Sequence, residues 1–339
     1  MTLPGETYTH GHHESVLRSH TWRTAQNSAA YLLDHLRPGV NLLDIGCGPG
    51  TITIDLAARV APGRVVGLDA ARPIVEQARG LSDSVEWRVG DAYTLDADLH
   101  DFHVVHAHQV LQHLADPVAA LRAWGHACRQ DGIVAARDGD YEAFTWYPHD
   151  PQLDRWLELY RLAARANGGE PDAGRRLLAW AHDAGFEDVT ATASVWCYAT
   201  ADERTWWADL WADRMTTSAV GTQLVASGAS SVEEVRSIAD AWQSILLRRP
   251  NWRSEAEVRA EYEAGQEPRA LIEGLGRPEP GRVAIDLAIV DARPTESVGA
   301  EPRLAIEMRD CTPAPSLAEA LGRLPGYALI GRRYRRTGG

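Results

Sequence analysis

The stretch 39-GVNLLDIGCGPGTITIDLAARVAPGRVVGLDA-70 decides the fold of this 339-residue chain. An apolar run, Val40 to Ile45, ends in a glycine-rich turn, and a segment with apolar residues at helical spacing follows. A second apolar run, Arg64 to Leu68, ends in Asp69. This order predicts a strand-helix-strand unit with a glycine-rich first turn and an acidic residue about 20 positions further on, which is typical of doubly wound α/β sheets.

The turn itself indicates what kind of ligand the sheet would bind. Glycines allow the backbone to approach a ligand closely, and Asp69 at the end of the second strand is placed to accept hydrogen bonds from ribose hydroxyls. The spacing here is G-x-G-x-G, whereas nicotinamide-binding proteins have G-x-G-x-x-G. Pro49 also removes an N–H group that would help to hold a pyrophosphate. A nicotinamide cofactor is therefore disfavoured.

Several segments resemble the class I S-adenosylmethionine-dependent methyltransferases in the order that this family has them. LLDIGCGPG (42–50) resembles motif I, and VEWRVGDAYTL (85–95) resembles the third strand with its adenine-contacting acid. DFHVVHAHQVLQHLADP (101–117) resembles the fourth strand and its loop, and DGIVAARD (131–138) resembles the fifth strand. The resemblance implies a Rossmann-like, doubly wound, mostly parallel seven-stranded α/β sheet with an N-terminal helical lid and helical insertions. It also implies S-adenosylmethionine as the cofactor.

The same resemblance assigns cofactor-binding positions residue by residue. These are Tyr8, Asp44, Gly46, Cys47, Gly48, Gly50, Asp69, Ala70, Gly90, Asp91, Ala92, His108 and Gln109. The residues alone leave structural alternatives open: glycines suit any tight turn, Asp69 can cap a helix, and Asp91 can form a turn.

A narrower likeness bears on the methyl acceptor. Residues 8–245 resemble the ubiquinone/menaquinone-biosynthesis-like branch, whose members methylate small molecules. TYTHGHHESVLRSHTWRT (7–24) and VAARDGDYEAFTWYP (134–148) resemble a bacterial subgroup that includes indole C3-methyltransferases acting on tryptophan-containing cyclic dipeptides. The resemblance therefore implies a small aromatic, indole-type or quinone-like acceptor.

Histidines are the candidate bases, because a neutral imidazole near pH 7 can take a proton from an acceptor. The candidates are His13 and His10, in a loop that would close over the cofactor, and His108 and His113, after the fourth strand. The alternative roles are a metal site or packing. No HExxH or CxxC motif accompanies the histidines and methyl transfer requires no metal, so we expect no metal centre.

Aromatic residues suggest the substrate side of the site. The chain has 12 Trp and only 3 Phe, and several Trp lie in the predicted insertions. We expect Asp140, Tyr141, Trp146 and Trp207 to bind substrate. Each Trp can equally be a core residue, since Trp207 and Trp211 are spaced one helical turn apart.

Composition limits the partners. The net charge of −13 argues against a nucleic-acid partner, and RNA methylation is weakened as an alternative for the same reason. The absence of Lys removes Schiff-base and P-loop chemistry. Four scattered Cys, with neither a signal-peptide pattern nor a long apolar run, lead us to expect a cytoplasmic protein without a membrane span. A homodimer is the candidate assembly.

Three regions are expected along the chain. Residues 1–38 form the lid, residues 39–250 form the catalytic domain with insertions at about 141–180 and 202–248, and residues 251–339 form an extension of undetermined fold. Two apolar runs in this extension, 283–290 and 326–334, are candidates for a last antiparallel strand. The rival functions are a nicotinamide-dependent oxidoreductase and a non-catalytic cofactor-binding protein.

Overall fold

A parallel sheet carries the functional residues of the protein. The computed structural model describes residues 20–146, 149–198, 200–247 and 327–334, and all of these belong to one compact unit. The parallel strands are β1 (Leu42–Ile45), β2 (Val65–Asp69), β3 (Glu86–Val89), β4 (Phe102–His108) and β5 (Cys128–Asp138). They lie in the order β3-β2-β1-β4-β5, so the winding reverses between β1 and β4. Ligands bind at such a reversal, beyond the carboxyl ends of the strands. The predicted α/β fold with a parallel sheet is confirmed.

Helices cover both faces of this sheet. They are α1 (Ala25–Ser28), α2 (Ala30–Leu33), α3 (Thr51–Val60), α4 (Arg72–Arg79), α5 (Pro117–Ala127), α6 (Pro151–Ala166), α7 (Leu177–Ala184), α8 (Ala201–Thr217), α9 (Ala219–Ala226) and α10 (Val232–Leu247). Strand β1 shows how the two faces differ. Leu43 and Ile45 pack with residues of α5 and α7, while Leu42 packs with residues of α3 and α4. Because side chains alternate along a strand, a fully buried run of this kind requires helices on both sides.

Helix α3 begins where the glycine turn ends. Gly50, with φ of 87°, is its N-cap, and Ile52, Leu56 and Val60 are buried on its inner face, as the helical spacing predicted. The helix is thereby fixed against the sheet, and its N-terminus points at the ligand edge. The glycine turn is held in place by this packing.

Two further strands pair antiparallel beside β5. Strand β6 (Phe186–Ala193) and strand β7 (Tyr327–Tyr334) pair with each other, and β7 also pairs with β5. Strand β7 comes from the second of the two apolar runs that sequence analysis singled out in the C-terminal extension. The other run, at 283–290, lies outside the described residues.

The predicted insertions form a second apolar cluster. Helices α6, α8, α9 and α10 pack around Trp156, Trp211 and Trp242, which are at most 4% exposed. These Trp residues are core, which is one of the two roles that the sequence left open. Helices α8 and α10 lie within the insertion expected at about 202–248, apart from the first residue of α8.

The described region before β1 contains two short helices, α1 and α2. Thr24 caps α1 through a reciprocal pair of hydrogen bonds with Asn27, which fixes where the first turn begins. Ala29, with φ of −130°, leaves the helical conformation and separates α1 from α2. Among the described residues, no helix has the length and apolar character needed to cross a bilayer.

Candidate active site

A cavity of about 1000 Å³ lies at the carboxyl ends of β1, β2, β4 and β5. The glycine turn and the ends of β2 and β3 line one side of it. The loop after β4, the segment after β6 and the helical insertion line the other side. The volume is at the upper end of the range for small-molecule sites.

The glycine turn is shaped for a close backbone approach. Gly46 has φ of +69°, and a Cβ there would lie 2.4 Å from Cγ2 of Val110. Gly48 has φ of +55°, and its missing Cβ would have no neighbour closer than 3.9 Å. Gly46 therefore needs to be glycine for packing, whereas Gly48 leaves open space on the cavity side. Cys47 lies between them, and its Sγ is 3.7 Å from the Gly48 carbonyl oxygen.

Two carboxylates follow the turn along the cavity. Asp69 Oδ2 accepts a hydrogen bond from the Gly48 N–H at 3.0 Å, and Oδ1 accepts one from the Ala71 N–H at 2.9 Å. Asp91 Oδ1 accepts a bond from the Tyr93 N–H at 2.7 Å. A carboxylate has about four lone-pair positions, so these bonds orient each group and leave it able to accept more. Ala70, Gly90 and Ala92, from the predicted set, also line the cavity.

Asp44 lies beneath the glycine turn and is 2% exposed. Its carboxylate accepts a hydrogen bond from Thr53 Oγ1 at 2.5 Å and lies 2.7 Å from Nδ1 of His106. His106 is fully buried, as expected for a histidine facing inward from strand β4. Asp44 lines the cavity, but its charge is engaged by these two side chains and supports the turn from below.

The end of β4 brings three predicted residues to the cavity. His108 is 6% exposed, its ring is 5.8 Å from that of Trp196, and neither ring nitrogen has a hydrogen-bond partner among the described residues. Burial, with the nearby Arg23 and Arg137, holds the pKa of His108 well below its usual value. Gln109 has φ of +55°, and its Oε1 accepts a hydrogen bond from Arg23.

His113 lies one turn further, in the short helical segment Leu111–His113. Burial, with a smaller contribution from the charge of Arg23, lowers its pKa to about 3. Its Nε2 is 3.1 Å from Nε2 of Gln112. Both histidines of this edge are therefore neutral at pH 7, and both are weak bases.

The predicted substrate residues lie on the far side of the cavity. The Asp140 carboxylate binds Arg175 through two hydrogen bonds of 2.8 Å, so its charge is already neutralised. Burial is the main cause that raises the pKa of this carboxyl group. Tyr141 packs on Tyr160 with ring centres 4.2 Å apart. Both predicted residues line the cavity, and both also hold the segment after β5 in place.

An aromatic wall faces the glycine turn across the cavity. Trp207 is stacked on Tyr198, with ring centres 4.3 Å apart and planes 12° from parallel. Trp146 packs edge-on against Trp156. The wall also contains residues that sequence analysis did not assign to the site, namely Trp22, Phe144, Trp196, Tyr198 and Trp206. The abundance of Trp was the available signal, but which of them face the cavity depends on tertiary packing.

The remaining predicted positions are outside the described part of the chain. Tyr8, His10 and His13 lie in residues 1–19. Among the described residues, no group of three His, Cys, Asp or Glu side chains is arranged to hold a metal ion. The first described residue of the histidine-rich segment, His20, lines the cavity next to the glycine turn.

A family model and a relative that covers most of this chain both identify a methyltransferase. The family model described as a methyltransferase domain matches residues 42–132. An uncharacterized methyltransferase of Schizosaccharomyces pombe is 31% identical over 249 residues, covering 70% of this chain and 88% of the relative.

Two further matches cover less of this chain or have a lower sequence identity. Nocamycin O-methyltransferase of Saccharothrix syringae is 38% identical over 145 residues, which cover 40% of this chain and 49% of that protein. Among solved structures, the YcgJ protein of Bacillus subtilis is 17% identical, with a TM-score of 0.40, over 69% of this chain and 88% of that one.

Proposed function

The chain belongs to the S-adenosylmethionine-dependent methyltransferases, and from this premise we propose that its cavity methylates a small aromatic, indole-type or quinone-like metabolite. One observation carries the proposal. The cavity joins the glycine turn and Asp69 on one side to an aromatic wall on the other, within about 1000 Å³. Flat apolar molecules bind well between indole and phenol rings, which also favour a neighbouring cation.

The residues around the glycine turn fit the cofactor. When bound, S-adenosylmethionine supplies an electrophilic methyl group on a sulfonium. The backbone of Gly46, Gly48 and Gly50 would hold the cofactor, with open space at Gly48, and Asp69 is oriented by two backbone N–H groups to accept hydrogen bonds from ribose hydroxyls. Asp91, which lines the cavity, would contact the adenine. The other residues proposed to hold the cofactor are Tyr8, Asp44, Cys47, Ala70, Gly90, Ala92, His108 and Gln109.

A histidine from the N-terminal segment is the proposed base. His13 is the first candidate and His10 the second. The reason lies in the two other candidate bases, which are within the described residues: burial lowers the pKa of both His108 and His113. A general base works best when its pKa is near the working pH, so these two are poorly matched to the task. We propose that His108 contacts the ligand and that its neutral ring shapes the site.

The larger organisation proposed for the chain follows the family resemblance. Residues 1–38 would form the lid, residues 39–250 the catalytic domain, and residues 251–339 an extension whose strand β7 completes a seven-stranded sheet. Insertions at 141–180 and 202–248 would contact the acceptor. A cytoplasmic homodimer without a nucleic-acid partner is proposed for the whole protein.

A methyl-labelling screen tests the proposed function. The protein would be incubated with methyl-labelled S-adenosylmethionine and a panel of aromatic, indole and quinone compounds, and products would be detected by mass spectrometry. We expect label in at least one small compound and none in RNA. Binding of S-adenosylhomocysteine without transfer to any compound would favour the non-catalytic alternative. Binding of NAD in its place would favour an oxidoreductase.

A further inference from the structure

Positive charge is concentrated in one part of the cavity. The protein has a net charge of −13, yet four arginines line this cavity: Arg23, Arg137, Arg204 and Arg214. The lining carboxylates of Asp69 and Asp91 lie at the nucleotide side. The other two are engaged within the protein, Asp44 by His106 and Asp140 by Arg175. Arginine side chains are therefore grouped on the acceptor side of the cavity, away from Asp69 and Asp91.

Among these four arginines, Arg137 gives the clearest indication of the charge of the ligand. It is 3% exposed, its Nε donates a hydrogen bond to Ser194 Oγ at 3.1 Å, and its guanidinium lies 4.4 Å from the ring centre of Trp196. Within the described part of the chain, no carboxylate forms an ion pair with Arg137, and the hydrogen bond of its guanidinium goes to Ser194. The carboxyl group of the next residue, Asp138, acts on the charge of Arg137 through space, but burial raises the pKa of Asp138 to about 7. A guanidinium remains charged in proteins, so Arg137 is a buried cation without an ion-pair partner among the described residues.

A buried charge without a partner is costly. Burial accordingly lowers the pKa of Arg137. The fold nevertheless holds the guanidinium between the Ser194 hydroxyl group and the Trp196 indole face, and Arg137 lines the cavity. An anionic ligand in the cavity would supply an ion-pair partner, and the parallel N–H donors of a guanidinium suit an oxyanion.

The surroundings of Arg137 place it on the acceptor side. Ser194 and Trp196 belong to the segment that follows β6 and leads into α8, the helix that carries Trp207 and Arg214. The charges of Arg23, Arg137 and Arg214 all act on the phenol of Tyr198, which lies in the same segment. Three cations thus surround one aromatic part of the cavity.

Resting on the proposed function, we propose that the methyl acceptor is a planar molecule bearing an oxyanion, and that Arg137 binds this oxyanion. The oxyanion is either a carboxylate or an ionised hydroxyl group. The indole rings that line the cavity contact the planar, apolar remainder of the molecule. Arg23 and Arg214 add positive potential without having to touch the ligand.

Calorimetric titration with matched ligand pairs tests this inference without measuring turnover. The protein is first saturated with S-adenosylhomocysteine. Naphthoate is compared with naphthamide, and lawsone, a hydroxynaphthoquinone that is ionised at neutral pH, is compared with its methyl ether. We expect at least one anion to bind roughly tenfold or more tightly than its neutral partner, the scale of hydrogen bonds to a charged group. The two pairs distinguish a carboxylate from an ionised hydroxyl.

Variants at Arg137 assign the effect to this residue. In Arg137→Met, the preference for the anion should fall to within about threefold, while Arg137→Lys should keep part of it because the charge remains. Arg59→Met is the matched control, since it removes one exposed positive charge outside the cavity and should leave the preference unchanged. The affinity of each variant for methylthioadenosine, which lacks the amino-acid carboxylate, reports whether it is folded.

Several results would overturn the inference. Equal binding of anion and neutral partner by the wild type would do so, as would an anion preference that survives in Arg137→Met, or failure of every probe to bind. A loss of affinity for S-adenosylhomocysteine, with unchanged affinity for methylthioadenosine, would assign Arg137 to the cofactor carboxylate instead. If the wild type fails to bind S-adenosylhomocysteine at all, the proposed function itself fails, and the inference fails with it.

Discussion

The Asp69 carboxylate connects the glycine turn to the start of the segment after β2. Its two oxygens accept hydrogen bonds from the backbone of Gly48 and Ala71, so the group is held in one orientation before any ligand arrives. Such preorganisation makes each further hydrogen bond to the carboxylate more favourable, because no side-chain freedom has to be lost. The geometry therefore supports Asp69 as the ribose-binding residue.

We predict that Asp69→Ala weakens binding of S-adenosylhomocysteine by roughly 1.5–3 kcal/mol, the typical contribution of hydrogen bonds to a charged group. Calorimetric titration of the purified variant measures this directly. Glu76→Ala is a suitable control, because Glu76 is an exposed carboxylate on α4 that pairs with Arg79 away from the cavity. Unchanged affinity in Asp69→Ala would exclude the ribose role.

A second prediction concerns the base. His13→Gln should lower turnover by roughly 10²–10⁴-fold, the usual contribution of general base catalysis, while cofactor affinity stays nearly the same. His126→Gln serves as the control, since His126 is an exposed residue of α5. Steady-state rates and calorimetry together separate the two effects. A wild-type rate in His13→Gln would transfer the role to His10, the next candidate.

The sequence indicated some site residues and missed others for a physical reason. Asp69 and His108 are the last residues of β2 and β4, and Asp91 follows β3. Residues at the carboxyl ends of parallel strands meet at one edge of the sheet. Arg137 is different, because its contacts with Ser194 and Trp196 join positions 57 and 59 residues apart that only tertiary packing brings together. No sequence motif and no spacing between residues indicates such a contact.

Strand β7 is a whole element whose pairing could not be predicted from the sequence. It pairs with β5 and β6 although about 130 residues of chain separate it from the end of β6. Its apolar pattern was visible in the sequence, but two runs in the extension fitted equally well. Strands β1 to β5 were readily predicted because each follows its neighbour in a repeating strand-helix pattern.

We predict that Ile330→Pro lowers the free energy of unfolding by roughly 1–3 kcal/mol, the cost of leaving a ladder partner unsatisfied. Ile330 is in register with Ala135 of β5 and Thr190 of β6, and proline cannot donate to either neighbour. Urea denaturation measures the change. Ile330→Val is the matched control, because it keeps the backbone donor and a β-branched side chain. Equal stability of the two variants would argue against β7 as an interior strand.

The free energy of unfolding of the protein depends on pH through one buried carboxyl group. Asp138 is fully buried at the end of β5, and its Oδ1 accepts a hydrogen bond from the Gln112 N–H at 3.1 Å. Burial raises its pKa to about 7, although the charges of Arg137 and Arg23 act in the opposite direction. In the unfolded chain an Asp has a pKa of about 3.9.

The direction of the effect follows from these two values. Because the folded protein holds the proton more tightly than the unfolded chain, this contribution to stability is fully present below about pH 4 and is lost as pH rises through about 7. The loss amounts to about 1.4 kcal/mol for each pH unit between the two pKa values, as an upper limit. Asp138→Asn keeps an acceptor for the Gln112 N–H and cannot ionise.

The comparison of wild type with Asp138→Asn separates this effect from general charge repulsion. A protein with a net charge of −13 also loses stability at high pH through self-repulsion, but both proteins share that term almost equally. Urea denaturation from about pH 5 to about pH 8 should therefore show the stability of the wild type falling relative to that of the variant, by a few kcal/mol at most. Two stability curves that stay parallel across this range would mean that Asp138 is not protonated in the folded protein.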